Sequence, residues 1–330
     1  MSVKSEKYLY LRHKKTFLSM LSRRHIRIKV MQLLYAKSRD AQLSLSDVLR
    51  RYEQYGKRSI ELYLFNLQQV IEVARYSVRD EIQRKAKYIP SDEDRRFTAK
   101  LYENDVLQGF LAHGTYEKTI KRFQMTGRTD DDTIANFYRK FLETDVYKTY
   151  LATDNLPNEA HQKIIVDLYK FLLQSEIFEE AMEDFSPAWI DDDTLIVGAA
   201  KKTLKAMPSD EALIHDFNEE DKLTFAFGEE LVTKTYRKDL ELLELIKPML
   251  QNWEADRVAT IDLILIKMAV CELTDFPTIP TKVTINEYVD ISKMYSTDKS
   301  REFVNGILDR MMKKFKEDGT VVKEGRGLLE

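Results

Sequence analysis

Apolar residues recur every three to four positions along most of the chain, whereas strict alternation of apolar and polar residues is nearly absent. The first spacing is typical of amphipathic α-helices and the second of β-strands. We therefore predict an all-α protein. The predicted helices lie at 22–38, 44–88, 93–113, 130–151, 157–184, 191–207, 219–236, 238–252, 256–274, 281–294 and 298–316.

The composition supports long helices in a water-soluble protein. Only 10 Gly and 7 Pro occur in 330 residues, so residues that break helices are scarce. The single cysteine, Cys271, excludes an internal disulfide framework and a zinc site built from several thiolates. No stretch approaches the roughly 20 apolar residues of a membrane span. We expect a cytoplasmic protein with no membrane association.

Positive charge is concentrated at the start of the chain. Residues 1–29 carry a net charge of +8, so the remainder carries −11 of the total of −3. A basic arm of this kind indicates either an anionic partner or a solvated tail, and charge alone does not separate the two. Because Met20 directly precedes Leu-Ser-Arg-Arg, a translation start there would leave only four of the nine cations.

The first predicted helix has one apolar side and one cationic, aromatic side. Arg24 and Tyr35 face away from the apolar residues, and Arg27 lies between the two sides. The apolar residues are Ile26, Val30 and Leu33. Guanidinium groups suit RNA phosphates, and a flat ring suits an unstacked base. The alternative is a helix with a solvated basic side and a tyrosine in the core.

Three further motifs follow one another near the other end of the chain. The first is Trp253, Asp256-Arg257, Ile261-Asp262, Ile266-Lys267 and Ala269-Val270-Cys271-Glu272-Leu273. The second is Ile279-Pro280-Thr281-Lys282-Val283-Thr284-Ile285-Asn286-Glu287. The third is Phe303-Val304-Asn305-Gly306-Ile307-Leu308-Asp309. Each motif alone is a weak signal, but their order and compact spacing make the set specific.

Together with Arg23-Arg24-His25-Ile26-Arg27 and the rest of the first helix, these motifs resemble the NusB family of transcription antitermination factors. The resemblance covers 22–38 and about 219–316, under half of the chain. It implies a NusB-like helical bundle with an additional helical insertion within 40–210. The expected division is a basic extension at 1–21, a first bundle with the insertion at 22–210, a NusB-like C-terminal bundle at 211–317 and a flexible tail at 318–330.

The resemblance also implies a function that involves no catalysis and no cofactor. It implies binding to the boxA element of ribosomal RNA leaders, together with the ribosomal protein NusE, in support of elongating RNA polymerase. The RNA-binding positions implied are Arg23, Arg24, Arg27, Tyr35, Lys267, Lys282, Ser300 and Arg301. The positions implied for NusE are Asp256 and Asp262, and ordinary surface acids remain the alternative there.

Several positions depart from the family or carry their own expectation. Cys271 replaces the usual tyrosine, and Lys267 replaces an arginine and so loses the planar bidentate fork. Gly306 inside a helix indicates close contact with a neighbouring backbone. Beside it, we expect Asn305 to be a buried hydrogen-bonding residue, with RNA contact as the alternative.

No pattern of catalytic residues is visible. The five histidines are far apart, and no phosphate-binding glycine loop occurs. We interpret the clusters at 130–132 and 191–193 as helix caps, with a divalent-cation site as the alternative. Some RNA cytosine methyltransferases carry a NusB-like domain, but they need a downstream catalytic domain and here the motifs run to the C-terminus. The other alternative is a protein-interaction scaffold of the same fold without RNA binding.

Overall fold

The structure is a computed structural model that describes residues 21–216, 218–250, 258–297 and 299–328. Residues 1–20 of the predicted basic extension at 1–21, and the predicted partner residue Asp256, lie outside these ranges. The described residues form α-helices, short 3-10 helices and connecting loops, without a strand. The prediction of an all-α fold is confirmed.

Sixteen α-helices are found within the described ranges. They are α1 (Arg23–Arg39), α2 (Leu45–Lys85), α3 (Asp92–Arg96), α4 (Lys100–Glu103), α5 (Asp105–Ala112), α6 (Thr115–Arg122), α7 (Asp131–Leu142), α8 (Asp145–Ala152), α9 (Asn158–Leu172), α10 (Glu176–Phe185), α11 (Trp189–Ala206), α12 (Glu219–Arg237), α13 (Asp239–Ile246), α14 (Thr260–Asp275), α15 (Thr281–Tyr295) and α16 (Ser300–Glu317). Short 3-10 helices follow at Lys247–Met249 and Gly325–Leu328.

The predicted long helices at 93–113, 130–151 and 157–184 are each divided in the structure, and α6 was not predicted. In the first two, a division occurs where a polar side chain caps a new helix, whereas α10 begins at Glu176 without a side-chain cap. Asn104 accepts a hydrogen bond from the Leu107 N–H, and Thr144 accepts one from the Tyr147 N–H. These caps lie within continuous helical periodicity, so apolar spacing alone did not reveal them.

The chain divides into two compact units, which we call the central unit (57–218) and the terminal unit (21–56 with 219–330). The predicted boundary at 210/211 differs from this division, because residues 21–56 pack with the C-terminal helices. Helix α1 contacts α12 and α14, which follow it by about 200 residues.

The central unit has a large apolar and aromatic core in which several buried polar groups are paired. Tyr169 donates to the Asn66 side-chain oxygen at 2.8 Å, and the hydroxyls of Tyr63 and Thr203 lie 2.7 Å apart. Burial raises the pKa of Tyr63 to about 12. These networks satisfy buried groups within the core, as expected of structural residues.

In the terminal unit, α1 begins where its sequence predicts. The Ser22 side chain accepts from the His25 N–H and caps the helix. Phe225 stacks on Tyr52 with 4.4 Å between ring centroids. Gly228 packs so closely here that an added Cβ would overlap Tyr52 and Ile26. The tight helix crossing therefore lies at Gly228.

Two expectations for α16 are wrong. An added Cβ at Gly306 would meet nothing within 4 Å, so this glycine does not permit a close approach of backbones. Asn305 is exposed and only reaches Asp309 on its own helix, at 3.4 Å. Both residues face away from the helix side that packs, which is formed by Val304, Ile307, Leu308, Met311 and Phe315.

The predicted flexible tail also differs from the structure. The Glu324 N–H donates to the Pro277 carbonyl at 3.0 Å, and Gly327 is buried against the same residue. The segment is therefore docked on the terminal unit as far as Leu328. None of the helices described is long and apolar enough to cross a bilayer.

Candidate nucleic-acid interface

The centre of α1 holds a buried ion pair. The Arg27 guanidinium donates two hydrogen bonds to Glu272 of α14, at 2.7 and 2.8 Å. The side chains are 2% and 0% exposed. The expectation that Arg27 is open to RNA is therefore wrong, because its charge is neutralised inside the protein.

Other side chains complete the hydrogen bonding of Glu272. The Thr284 hydroxyl donates to it at 2.8 Å and the Tyr288 hydroxyl at 3.0 Å, both from α15. The carboxylate raises the pKa of Arg27 against the lowering effect of burial. Burial, and next the carboxylate, raise the pKa of Tyr288. A buried carboxylate with four donors links α1, α14 and α15 into one polar core.

Helical spacing misplaced Arg27 because α1 has more than one buried side. The helix packs against both α12 and α14, and its buried residues include Ile26, Arg27, Ile28, Lys29, Val30, Met31 and Leu34. A single apolar stripe predicts one buried side. Here the middle of the helix is enclosed almost all round, and side chains are accessible mainly near its two ends.

Arg23 and Arg24 provide the accessible cations at the N-terminal end of α1. Arg23 is exposed, and its guanidinium carbon lies 5.1 Å from the centroid of the Phe227 ring. Partial burial and then the positive charge of Arg27 lower the pKa of Arg23. The Arg24 side chain is 42% exposed and binds Glu287 through two hydrogen bonds of 2.9 and 3.0 Å.

Arg24 is thus the more neutralised of the two cations. It also donates to Asp290 at 3.0 Å, and the hydrogen bond to Glu287 is the main reason that its pKa is raised. Glu287 additionally lies 3.6 Å from the Arg27 guanidinium. Helix α1, the predicted cationic helix, therefore lies against α15. Acids of α15 form ion pairs with two of the three arginines of α1, Arg24 and Arg27.

Tyr35 provides an accessible aromatic ring towards the other end of α1. It is 40% exposed, so it is not the core tyrosine of the alternative interpretation. Arg24 and Tyr35 are eleven positions apart, which places them on nearly the same side of a helix with 3.6 residues per turn. The predicted exposure of Tyr35 is confirmed, and its ring is free to stack on a flat ligand, whereas Arg24 is half-buried.

Three other candidate residues are buried in structural contacts, contrary to the exposed roles expected of them. Lys267 is 8% exposed and its ammonium group lies 2.6 Å from Asp239. Ser300 is 2% exposed and donates to Asp262 at 2.7 Å. Asp262 itself is 4% exposed, so this acid holds the start of α16 and does not present a surface charge.

Lys282 and Arg301 are exposed, at the first turns of α15 and α16. Lys282 lies close to Thr284 in sequence, whose hydroxyl binds Glu272, and eight residues before Asp290, which binds Arg24, so it lies at the end of α15 away from Arg24. Arg301 follows Ser300, and Ser300 contacts Asp262 at the start of α14. Asp262 lies about 15 Å along α14 from Glu272. The contacts that place these two cations do not bring them into one compact cluster with Arg23 and Arg24.

Comparison with known proteins decides the family. The NusB family profile matches residues 194–313. The transcription antitermination protein NusB of Salinibacter ruber is 39% identical over 118 residues, which cover 36% of this chain and 74% of that protein. This chain belongs to the NusB family.

Two further NusB proteins show the extent of the similarity. That of Chloroherpeton thalassium is 48% identical over 79 residues, which are 24% of this chain and 37% of that protein. That of Natranaerobius thermophilus is 37% identical over 87 residues, which are 26% of this chain and 63% of that protein. Among solved structures, none matches the chain significantly. The NusB similarity thus covers a limited part of the chain.

The NusB profile begins after α1, within α11, and extends into α16. The structure places α1 against the matched helices through Arg27 and Glu272, as the resemblance of the two ends implies. Membership of the NusB family also agrees with the prediction that the chain is not an enzyme. Within the described ranges, no group of three or more metal-ligating side chains is found.

Sequence reasoning missed the residues that organise this NusB surface. Phe227 lies under both Arg23 and Arg27, and Glu272 and Glu287 orient the arginines. Glu272 and Glu287 both stand in the motifs that carry the family resemblance. Two of those motifs contain an acid, and the first helix contains three arginines. This combination was the signal in the sequence that could have predicted a buried ion pair.

Proposed function

We propose that this protein is a cytoplasmic, RNA-binding transcription antitermination factor. It binds the boxA element of ribosomal RNA leaders together with NusE, and the complex supports elongating RNA polymerase. The observation that carries the proposal is an exposed cationic and aromatic side of α1 on a chain of the NusB family.

The recognition proposed needs no chemical step. Arg23 and the free donors of Arg24 contact phosphates, and Tyr35 stacks on an unpaired base. A guanidinium has five N–H donors, and Arg24 uses three of them on Glu287 and Asp290. Lys282 and Arg301 add phosphate contacts on either side of the strand.

Arg27 is a positioning residue in this mechanism. Its buried pair with Glu272 fixes α1 on α14, and its ring contact with Phe227 is shared with Arg23. RNA therefore meets α1 in a preset orientation, so less ordering is required on binding. We assign the proposed NusE contact to Asp256 alone, because Asp262 is buried.

The test is a fluorescence titration of boxA RNA and a scrambled RNA of equal length, with and without NusE. We expect a preference for boxA, strengthening by NusE, and weakening as salt rises. Replacing Arg23 and Arg24 together by Gln should weaken binding at least tenfold, because two phosphate contacts are lost.

Two variants separate stacking from charge. Tyr35→Ala should weaken binding by about 1–3 kcal/mol through loss of base stacking, whereas Tyr35→Phe keeps the ring and should bind nearly normally. Arg139→Gln in α7 removes an exposed arginine of the central unit and is the control for net charge. If both RNAs bind equally well, or if neither binds, the proposal is contradicted and a protein-interaction scaffold is favoured.

A further inference from the structure

The residues after α16 return to the body of the terminal unit. Gly319 has a φ of +64°, in the left-handed region that glycine adopts readily, and it follows the last turn of the helix. The next N–H, that of Thr320, donates to the Phe315 carbonyl at 3.0 Å. The helix is thus closed by a defined C-terminal turn, and the chain is directed backwards.

The returning segment docks on the loop between α14 and α15. Lys323 donates its ammonium N–H to the Phe276 carbonyl at 3.2 Å, and the Glu324 N–H donates to the Pro277 carbonyl at 3.0 Å. An added Cβ at Gly327 would overlap that same Pro277 carbonyl. A glycine is therefore required at 327 for this backbone contact.

The same loop borders the site of Arg23. The ring of Phe276 meets the ring of Phe227 edge-on, with 5.4 Å between centroids, and Phe227 lies under the Arg23 guanidinium. A continuous set of contacts thus leads from the docked segment to Arg23. Arg326, on the segment, is exposed.

The electrostatics agree with this placement of Arg326. Burial and then the charge of Arg27 lower the pKa of Arg23, the Glu272 carboxylate raises it, and the positive charge of Arg326 contributes a further, smaller lowering. In the described part of the chain, neither Arg23 nor Arg326 has a carboxylate within ion-pair distance, whereas Arg24 and Arg27 both do. Two cations that are not paired with a carboxylate favour an anionic ligand.

We propose that the C-terminal segment 319–328 completes a phosphate-binding site, in which Arg326 and Arg23 together contact the backbone of the bound RNA strand. The inference rests on the proposed RNA-binding function and adds a residue from outside the segment matched by the family profile. Phosphate contacts carry no base information, so the site contributes affinity and orientation but not sequence preference.

The experiment uses the full chain and the same two RNAs, titrated at several salt concentrations. Arg326→Gln should weaken binding to both RNAs about threefold to tenfold and reduce the salt slope by about 0.7, the value for one phosphate on a single strand. Gly327→Ala undocks the segment without changing any charge, so it should have a similar effect. Arg139→Gln, of equal charge change, should leave both quantities unaltered.

The outcomes separate this inference from the proposed function. If the wild type binds RNA and Arg23→Gln weakens it, but Arg326→Gln leaves affinity and salt slope unchanged, the inference is overturned and the proposed function stands. If the wild type binds neither RNA, both are overturned. Because Arg326 is exposed, its variant should retain the wild-type melting temperature, which separates lost contact from lost folding.

Discussion

The three arginines near the start of α1 have different roles although Arg23 and Arg24 are adjacent and Arg27 follows one helical turn later. Arg23 is exposed above an aromatic ring, Arg24 is half-buried and paired at the surface, and Arg27 is buried with Glu272. A guanidinium in the interior requires a carboxylate partner, since an unpaired buried charge is very costly. Arg27 therefore maintains the packing of α1, and Arg23 is available to a ligand.

The buried pair predicts a large loss of stability on truncation. Arg27→Ala leaves Glu272 charged and buried without its cation, so the free energy of unfolding should fall by about 3–5 kcal/mol. Urea denaturation measures this change. Arg24→Ala, which removes a pair at the surface, should cost at most about 1 kcal/mol. Similar losses for the two variants would contradict the difference in roles.

Two glycines predict opposite effects of the same substitution. Gly306→Ala should stabilise the protein by about 0.5–1 kcal/mol, because the position is helical and has open space around it. Gly228→Ala should destabilise it, because the new methyl group overlaps Tyr52 and Ile26. Thermal denaturation measures both changes. A destabilised Gly306→Ala variant would show that the glycine has a packing role.

At the scale of elements, most helices follow the apolar spacing, and their ends follow local caps. The predictions for α1, α2, α12, α15 and α16 agree with the structure to within a few residues. The predicted helices at 93–113 and 130–151 were too long because internal caps, Asn104 and Thr144, interrupt the backbone without interrupting the periodicity. The predicted helix at 157–184 is divided at Ser175, which makes no side-chain cap. Periodicity reports which side is buried, and capping decides where the helix begins.

The cap of α1 predicts a modest effect on stability. Ser22→Ala removes the acceptor for the His25 N–H and should lower the free energy of unfolding by about 1 kcal/mol. Ser22→Asp keeps an acceptor and adds a favourable interaction with the helix dipole, so it should retain wild-type stability. Urea denaturation of the two variants distinguishes them. Equal losses would mean that the cap does not determine where α1 begins.

At the scale of the whole molecule, the chain leaves the terminal unit after Gly56 and returns to it at Glu219. Helix α2 begins in the terminal unit and continues into the central unit after Gly56. Its first part contacts α12 through the stacked rings of Tyr52 and Phe225. The residues on either side of the central unit are therefore near one another within the terminal unit.

This arrangement predicts that the terminal unit folds without the central one. Replacing residues 57–218 by a short Gly/Ser linker should give a helical, cooperatively melting protein with RNA affinity within about threefold of the full chain, since loop length alone has a small energetic effect. Circular dichroism and the same RNA titration measure this. The shortened protein with Arg23→Gln and Arg24→Gln is the matched control. Loss of RNA binding in a folded shortened protein would give the central unit a part in recognition.

The sequence by itself determined the helical fold, the resemblance to NusB and the exposure of Tyr35. These features depend on local spacing, composition and short motifs, which are readable along one chain. Only the tertiary structure decided that Arg27, Lys267 and Asp262 are buried and that residues 319–328 are docked. Whether a charge can be buried depends on whether a group of opposite charge lies next to it in space. Glu272, the partner of Arg27, is 245 residues away in the sequence.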